Sequence, residues 1–186
     1  MIQTSPGDDA SIAEALPALT WEAYLDADYY EVYLTPERGQ AIFVGNETKE
    51  TQSTPPQALL NCEYTWQIEV FNSSGVKIAE NDGYYHFTVI GQEISCAVTL
   101  IRPQDSGNVS GENLELTWEE HPLASYYQVH IWDKDYKDIL DGVCLGETSY
   151  TVSQIIPPGT YTWYITAYNA SDNDVARSDF YKFTIP

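Results

Sequence analysis

The feature that most constrains this chain is a strand that occurs twice. Its first copy reads Tyr64-Thr65-Trp66-Gln67-Ile68-Glu69-Val70-Phe71-Asn72, and its second Tyr161-Thr162-Trp163-Tyr164-Ile165-Thr166-Ala167-Tyr168-Asn169. In both, a Tyr, a Trp, an Ile and a small apolar residue fall on alternate positions. Successive side chains of a strand point to opposite faces, so this set lines one face. A face with two aromatic rings on it belongs in a core, under a second sheet that closes over it.

The repeat extends well beyond that strand. Shifting the sequence by 97 residues places Leu19-Thr20-Trp21-Glu22 on Leu116-Thr117-Trp118-Glu119, Tyr29-Tyr30 on Tyr126-Tyr127, and Val32 on Val129. Ala27, Pro6 and Gly45 fall on Ala124, Pro103 and Gly142, and Glu50-Thr51 on Glu147-Thr148. After one deletion Phe87-Thr88-Val89 matches Phe183-Thr184-Ile185. A fixed-period match of this kind is a tandem duplication. The expected domains are residues 1–91 and 92–186, joined near Ile90-Gly91-Gln92-Glu93. Because the chain starts and stops at unit boundaries, we expect it to be a segment of a longer protein.

Each unit reads as short strands separated by turn residues. In the second unit the expected strands are 97–102, 113–119, 125–132, 139–144, 149–153, 160–169 and 179–185. In the first they are 1–5, 17–22, 28–34, 40–44, 51–54, 63–72 and 83–90. Ala10 to Leu16 is the only stretch with a helical look; it ends at Pro17 and is read as a loop or single turn. Fifteen Tyr and five Trp suit the half-buried surfaces of an all-β chain. The fold class expected is therefore all-β: two tandem seven-stranded antiparallel β-sandwiches.

At this point the residues resemble a family. A Trp on the second strand (Trp21, Trp118) precedes a Tyr-x-Val third strand (Tyr30-Glu31-Val32, Tyr127-Gln128-Val129) and then the Tyr-x-Trp-x-Ile strand. This ordered set, present twice, resembles the fibronectin type III modules (immunoglobulin-like sandwiches) of prokaryotic surface and secreted proteins. The resemblance implies an extracellular or cell-surface location and a tyrosine corner at Tyr64 and Tyr161. Pro157-Pro158-Gly159 resembles the turn before that corner; the first unit has Leu60-Asn61-Cys62-Glu63 there. No Arg-Gly-Asp tripeptide occurs, so integrin binding does not carry over.

The net charge is −20, with 14 acidic and 3 basic residues in 1–91 and 14 and 5 in 92–186. A field spread over both halves repels phosphate, which argues against nucleic acid and anionic membranes as partners. No run approaches the roughly 20 apolar residues of a membrane helix. Solubility alone accounts for the charge, and a bound cation is the sharper reading. Cys62, Cys96 and Cys144 occupy non-equivalent places, so a single bridge and three free thiols are both open.

Residues on the outward parity of the core strands are the candidate site. In the second unit these are Tyr126, His130, Trp132, Tyr164 and Tyr168; the first unit offers Tyr29, Tyr33 and Phe71. Exposed aromatic faces mark binding sites for proteins or sugars, whereas cross-strand pairing alone would only stiffen the sheet. Asp133, Asp135 and Asp138 are a candidate calcium set, although Lys137 stands where a ligand would be and no Glu closes the loop. Asp172-Asn173-Asp174 and Asp26-Ala27-Asp28 are weaker versions. Asn46, Asn72, Asn108 and Asn169 open glycosylation-type triplets. His86, His121 and His130 have no metal spacing, and no nucleophile elbow, phosphate loop or dinucleotide fingerprint is present. The expectation is a non-catalytic spacer, adhesion or assembly module whose partner is a protein or another copy. An accessory carbohydrate-binding module of a secreted enzyme is the alternative.

Overall fold

A computed structural model describes residues 3–186. Met1 and Ile2, the start of the expected first strand, lie outside the described residues. The chain divides into two compact units, one ending at Cys96 and one starting at Ala97.

In the first unit the strands are β1 (Gln3–Ser5), β2 (Ala10–Ile12), β3 (Leu19–Trp21), β4 (Tyr29–Pro36), β5 (Phe43–Thr48), β6 (Gln52–Ser53), β7 (Cys62–Phe71), β8 (Lys77–Glu80) and β9 (Tyr85–Val89). They form a small sheet in the order β1-β3-β6 and a larger one in the order β2-β9-β7-β4-β5, with β8 also on β7. The second unit has β10 (Ala97–Val98), β11 (Leu100–Arg102), β12 (Gly107–Asn108), β13 (Leu114–Trp118), β14 (Tyr126–Asp133), β15 (Asp138–Leu145), β16 (Ser149–Val152), β17 (Gly159–Tyr168), β18 (Asp174–Ser178) and β19 (Tyr181–Ile185). Its small sheet runs β11-β13-β16, and its large one β10-β18-β17-β14-β15, with β19 on β17 and β12 on β19.

The inner faces follow the sequence periodicity. Along β7, Cys62, Tyr64, Trp66, Ile68 and Val70 are buried and their neighbours are not. Along β17, Tyr161, Trp163, Ile165 and Ala167 are buried. Trp21 and Trp118, from the small sheets, meet Tyr30 and Tyr127 of the large sheets edge-on, with centroids 5.4 and 5.5 Å apart. Each unit thus has one core shared by its two sheets. Burying one such large side chain stabilises by about 1.5–3 kcal/mol. The Tyr64 hydroxyl bonds both the carbonyl and the amide of Leu60, and the Tyr161 hydroxyl donates to the Pro157 carbonyl at 2.9 Å. Both units therefore have a tyrosine corner, despite their different turn sequences.

Several expectations are corrected by backbone hydrogen bonding. The seven-strand count per unit becomes nine and ten among the described residues. The expected last strand is preceded by β8 or β18, which sequence read as loop. At the break a side chain stands in for the ladder: Asn81 Oδ1 accepts from Ile68 N at 2.7 Å, and Ser178 Oγ from Ile165 N at 2.9 Å. These two residues are equivalent in the repeat and almost fully buried, so the interrupted strand leaves neither amide unpaired. The sheets are also not wholly antiparallel: β2–β9, β10–β18 and β12–β19 are parallel. Ala10–Ile12, read as loop or turn, is one of these strands. The peptides before Pro6 and Pro103 are both cis.

The expected boundary at 91/92 moves to 96/97. Asn61 N donates to the Ile94 carbonyl at 2.9 Å, and Cys96 N to the Asn61 carbonyl. Cys62 and Cys96 form a disulfide, both within the first core, while Cys144 is free and exposed. Residues 92–96 thus complete the first unit. The bridge spans 34 positions and has no counterpart in the second unit, where Gly159 stands at the place of Cys62. Replacing Cys62 and Cys96 together by alanine should destabilise the first unit by about 2–4 kcal/mol. In calorimetry its transition should fall by about 10–20 °C, with that of the second unit unmoved; an unchanged first transition would contradict a structural bridge.

Candidate binding face of the second unit

Because Tyr127, Val129 and Ile131 of β14 are buried, the residues between them must face outward. Strand β17 pairs with β14 so that Tyr126 opposes Tyr168, Gln128 opposes Thr166, His130 opposes Tyr164 and Trp132 opposes Thr162. The five candidate residues Tyr126, His130, Trp132, Tyr164 and Tyr168 therefore share one face, each half-buried. The Tyr126 and Tyr168 rings stack with centroids 5.1 Å apart and an interplanar angle of 8°. His130 and Tyr164 stack at 4.5 Å and 12°. Trp132 leans on Tyr164 at 5.1 Å.

Sequence reasoning missed Phe180. It lies between β18 and β19, is 54% exposed, and reaches Trp132 at 5.6 Å and Tyr164 at 5.1 Å. A residue between strands has no parity to read; its only sequence signal is a large apolar ring beside Asp179. The result is a continuous cluster of His130, Tyr164, Trp132 and Phe180.

The cluster lies between opposite charges. Asp138 and Asp141 act on both His130 and Tyr164, and Arg177 acts on Tyr164 and Tyr168. Burial pushes the Tyr164 and Tyr168 hydroxyls above their ordinary values. Burial also holds the His130 imidazole below its usual 6.5, against the opposing pull of Asp141, whose carboxylate is 3.5 Å from Nδ1. Gly142 lies beside this ring at φ 64°, and a Cβ there would come within 3.6 Å of His130 Cε1. The Gly45 equivalent has φ 67°. Both sit where the pairing to the preceding strand shifts register, a left-handed position that favours glycine.

The acidic loop does not gather its carboxylates. Asp133 Oδ1 accepts from Asp135 N at 2.8 Å and Lys137 N at 3.0 Å, the geometry of a turn cap. Those bonds, that to Lys137 first, hold the Asp133 carboxyl below its ordinary value. Asp135 pairs with Lys134, and Asp138 lies on β15 opposite Trp132. Among the described residues no group of three or more His, Cys, Asp or Glu could hold a metal ion. Of the weaker sets, Asp172 accepts from the Tyr126 hydroxyl and Asp28 pairs with Lys49. The glycosylation-type residues Asn72 and Asn169 are turn caps too, each Oδ1 accepting from two amides of its own turn.

The matching face of the first unit differs in charge. Tyr29 stacks on Phe71 at 4.9 Å and 3°, as Tyr126 does on Tyr168. Next to this stack, however, Glu47, Glu31, Glu69 and Glu80 oppose one another across β5, β4, β7 and β8. Like charges directly opposite destabilise a sheet. Lys77 bridges Glu69 and Glu80 at 2.9 Å each, and the Tyr33 hydroxyl lies 2.8 Å from Glu31 and 3.3 Å from Glu69. The bond to Glu31 contributes most to pushing the Tyr33 hydroxyl up to about 12. The equivalent row in the second unit is Cys144, Gln128, Thr166 and Arg177, with no carboxylate in it.

No family model matches the sequence, and no curated protein matches it. Solved structures do. The chain is similar to the fibronectin(III)-like modules of Clostridium thermocellum CbhA, at 15% identity and a TM-score of 0.35, over 99% of this chain and 92% of that one. It is similar to the FN1–FN3 domains of chicken CNTN1, at 14% and 0.37, over 96% and 68%. A two-domain fibronectin type III segment of chicken tenascin matches at 13% and 0.35, over 97% and 94%. All three are fibronectin type III modules, and the likeness is one of fold.

The half-buried His130 sets a pH dependence. With its folded pKa below the unfolded value near 6.5, the folded state binds fewer protons between the two. Its stabilising contribution is complete above about 6.5 and is lost as the pH falls through the folded pKa. The second unit should therefore melt progressively lower as the pH falls from 7 to 5, and His130→Gln should flatten that dependence. An NMR titration placing the His130 imidazole above 6.5 would contradict this assignment.

Proposed function

We propose that the chain is a non-catalytic pair of fibronectin type III-like β-sandwich modules from an extracellular or cell-surface protein. It acts as a spacer and assembly element and binds a protein partner through the aromatic face of the second unit. The observation that carries this reading is the cluster of His130, Tyr164, Trp132 and Phe180, continuous and partly open to solvent. Interface centres are depleted of acidic residues and Lys, and enriched in aromatics and Arg. In a chain of net charge −20, the row Cys144-Gln128-Thr166-Arg177 fits that pattern, whereas its duplicate carries four glutamates.

Carbohydrate is the second reading. A pyranose stacks on the open face of a ring, but here two cross-strand pairs turn ring faces toward each other, at 8° and 12°. Ring edges and Trp132 are left for contact, which suits the irregular surface of a polypeptide better than a flat sugar.

Selection of displayed random peptides, run beside a glycan array, tests the choice. Trp132→Ala should weaken the selected peptides by about 30-fold, the size of an interface hot spot, and the wild-type chain should bind no glycan. Glycan binding that disappears with Trp132→Ala would replace the protein reading by the sugar one. Peptide binding indifferent to Trp132→Ala would remove the face from the function.

A further inference from the structure

The register of the second face shows more than an aromatic centre. Asp138 opposes Trp132, Trp132 opposes Thr162, and Thr162 opposes Lys182, so these four form one row across β15, β14, β17 and β19. Four residues along β14 and β17, the row reads Cys144, Gln128, Thr166, Arg177. The β15 flank carries Asp138 and Asp141, and the β18–β19 flank carries Arg177 and Lys182. The pairing of Asp138 with Trp132 and of Arg177 with Thr166, and the approach of the Asp141 carboxylate to His130 at 3.5 Å, place all three on the aromatic side of the sheet. Along the Trp132 row the face is acidic at the β15 edge and basic at the β19 edge, while Asp174, opposite Tyr168, adds a carboxylate to the β18 edge.

A surface with that order is complementary to itself. A two-fold axis in the interface plane, running along the strands between β14 and β17, reverses the order of strands and keeps each row opposite itself. Asp138 then faces Lys182 of the partner subunit, and Trp132 faces Thr162 of the partner subunit. His130 faces Tyr164 of the partner subunit, and Tyr126 faces Tyr168 of the partner subunit. This is an isologous contact, in which each pairing occurs twice. From this register we infer that the partner of the aromatic face is a second copy of the same chain, docked face to face about this axis.

The first unit supplies the contrast. The same operation on its face would set Glu47 against Glu80 and Glu31 against Glu69. Like charges across an interface oppose association. The duplication therefore left one sheet face able to meet itself and one that repels itself, although their inner faces are nearly the same.

This inference rests on the aromatic face being a protein-binding surface, and its test separates the two. Sedimentation velocity is run on the full chain in a Cys144→Ser background, so that no intermolecular disulfide contributes. A salt concentration near 0.15 M gives a screening length of about 8 Å, which mutes the long-range repulsion between two acidic chains. Wild type should dimerise, and Asp138→Lys or Lys182→Asp alone should each weaken the dimer by about tenfold, since each change places two like-charged pairs in the contact. Mixing the two variants should restore association, because both pairs of the mixed dimer again have opposite charges. A dimer lost with Trp132→Ala but indifferent to the charge reversals would overturn this axis and leave the face standing. A chain that stays monomeric while still binding Trp132-dependent peptides would overturn the second copy as partner. Dimerisation indifferent to Trp132→Ala would overturn both readings.

Discussion

The rest of the structure depends on the burial of alternate side chains along β7 and β17. Once Trp66 and Trp163 are enclosed between two sheets, the parity of their strands is set, and hydrogen-bond register transmits it to every neighbour. A slip of one residue would put these indoles in water and Gln67 or Tyr164 in the core. That cost pins Tyr126, His130, Trp132, Tyr164 and Tyr168 to one outer face as firmly as it pins Tyr127, Val129 and Ile131 to the inner one.

The two copies have diverged on the side where packing exerts little restraint. Inside, the edge-on Trp–Tyr pair, the tyrosine corner and the side chain that bridges the broken last strand all recur. Outside, one stacked pair recurs as Tyr29–Phe71 and Tyr126–Tyr168, but the row beside it is glutamate in one unit and neutral or basic in the other. Core positions tolerate little change of volume. An outer position only has to suit solvent or a partner, so charge could be redistributed there without disturbing the fold.

Many acidic and amide side chains are engaged by the backbone. Asp133, Asn72 and Asn169 each cap their own turn with one oxygen that accepts two amides. Asp8 and Asp105 likewise accept from the amides of His86 and Lys182, at 2.9 and 2.8 Å. The abundance of Asp that suggests calcium in the sequence is thus partly a requirement of short turns between strands, where amides otherwise lack partners.

The sequence by itself determined the all-β class, the duplication, the inner aromatic residues and which aromatics share the outer face. All of these are properties of period two, which is local and survives any arrangement of loops. Only the tertiary structure decided the rest. Phe180 joins the cluster because the break between β18 and β19 brings it beside Trp132, and a break has no period. β2 and β12 are strands because distant partners supply their hydrogen bonds, in two- or three-residue pieces too short to show a pattern. The Cys62–Cys96 bridge and the true end of the first unit depend on where Asn61 meets Ile94 in space. The row from Asp138 to Lys182 likewise joins residues 44 positions apart, which become neighbours on one face only when three strand pairings are fixed at once.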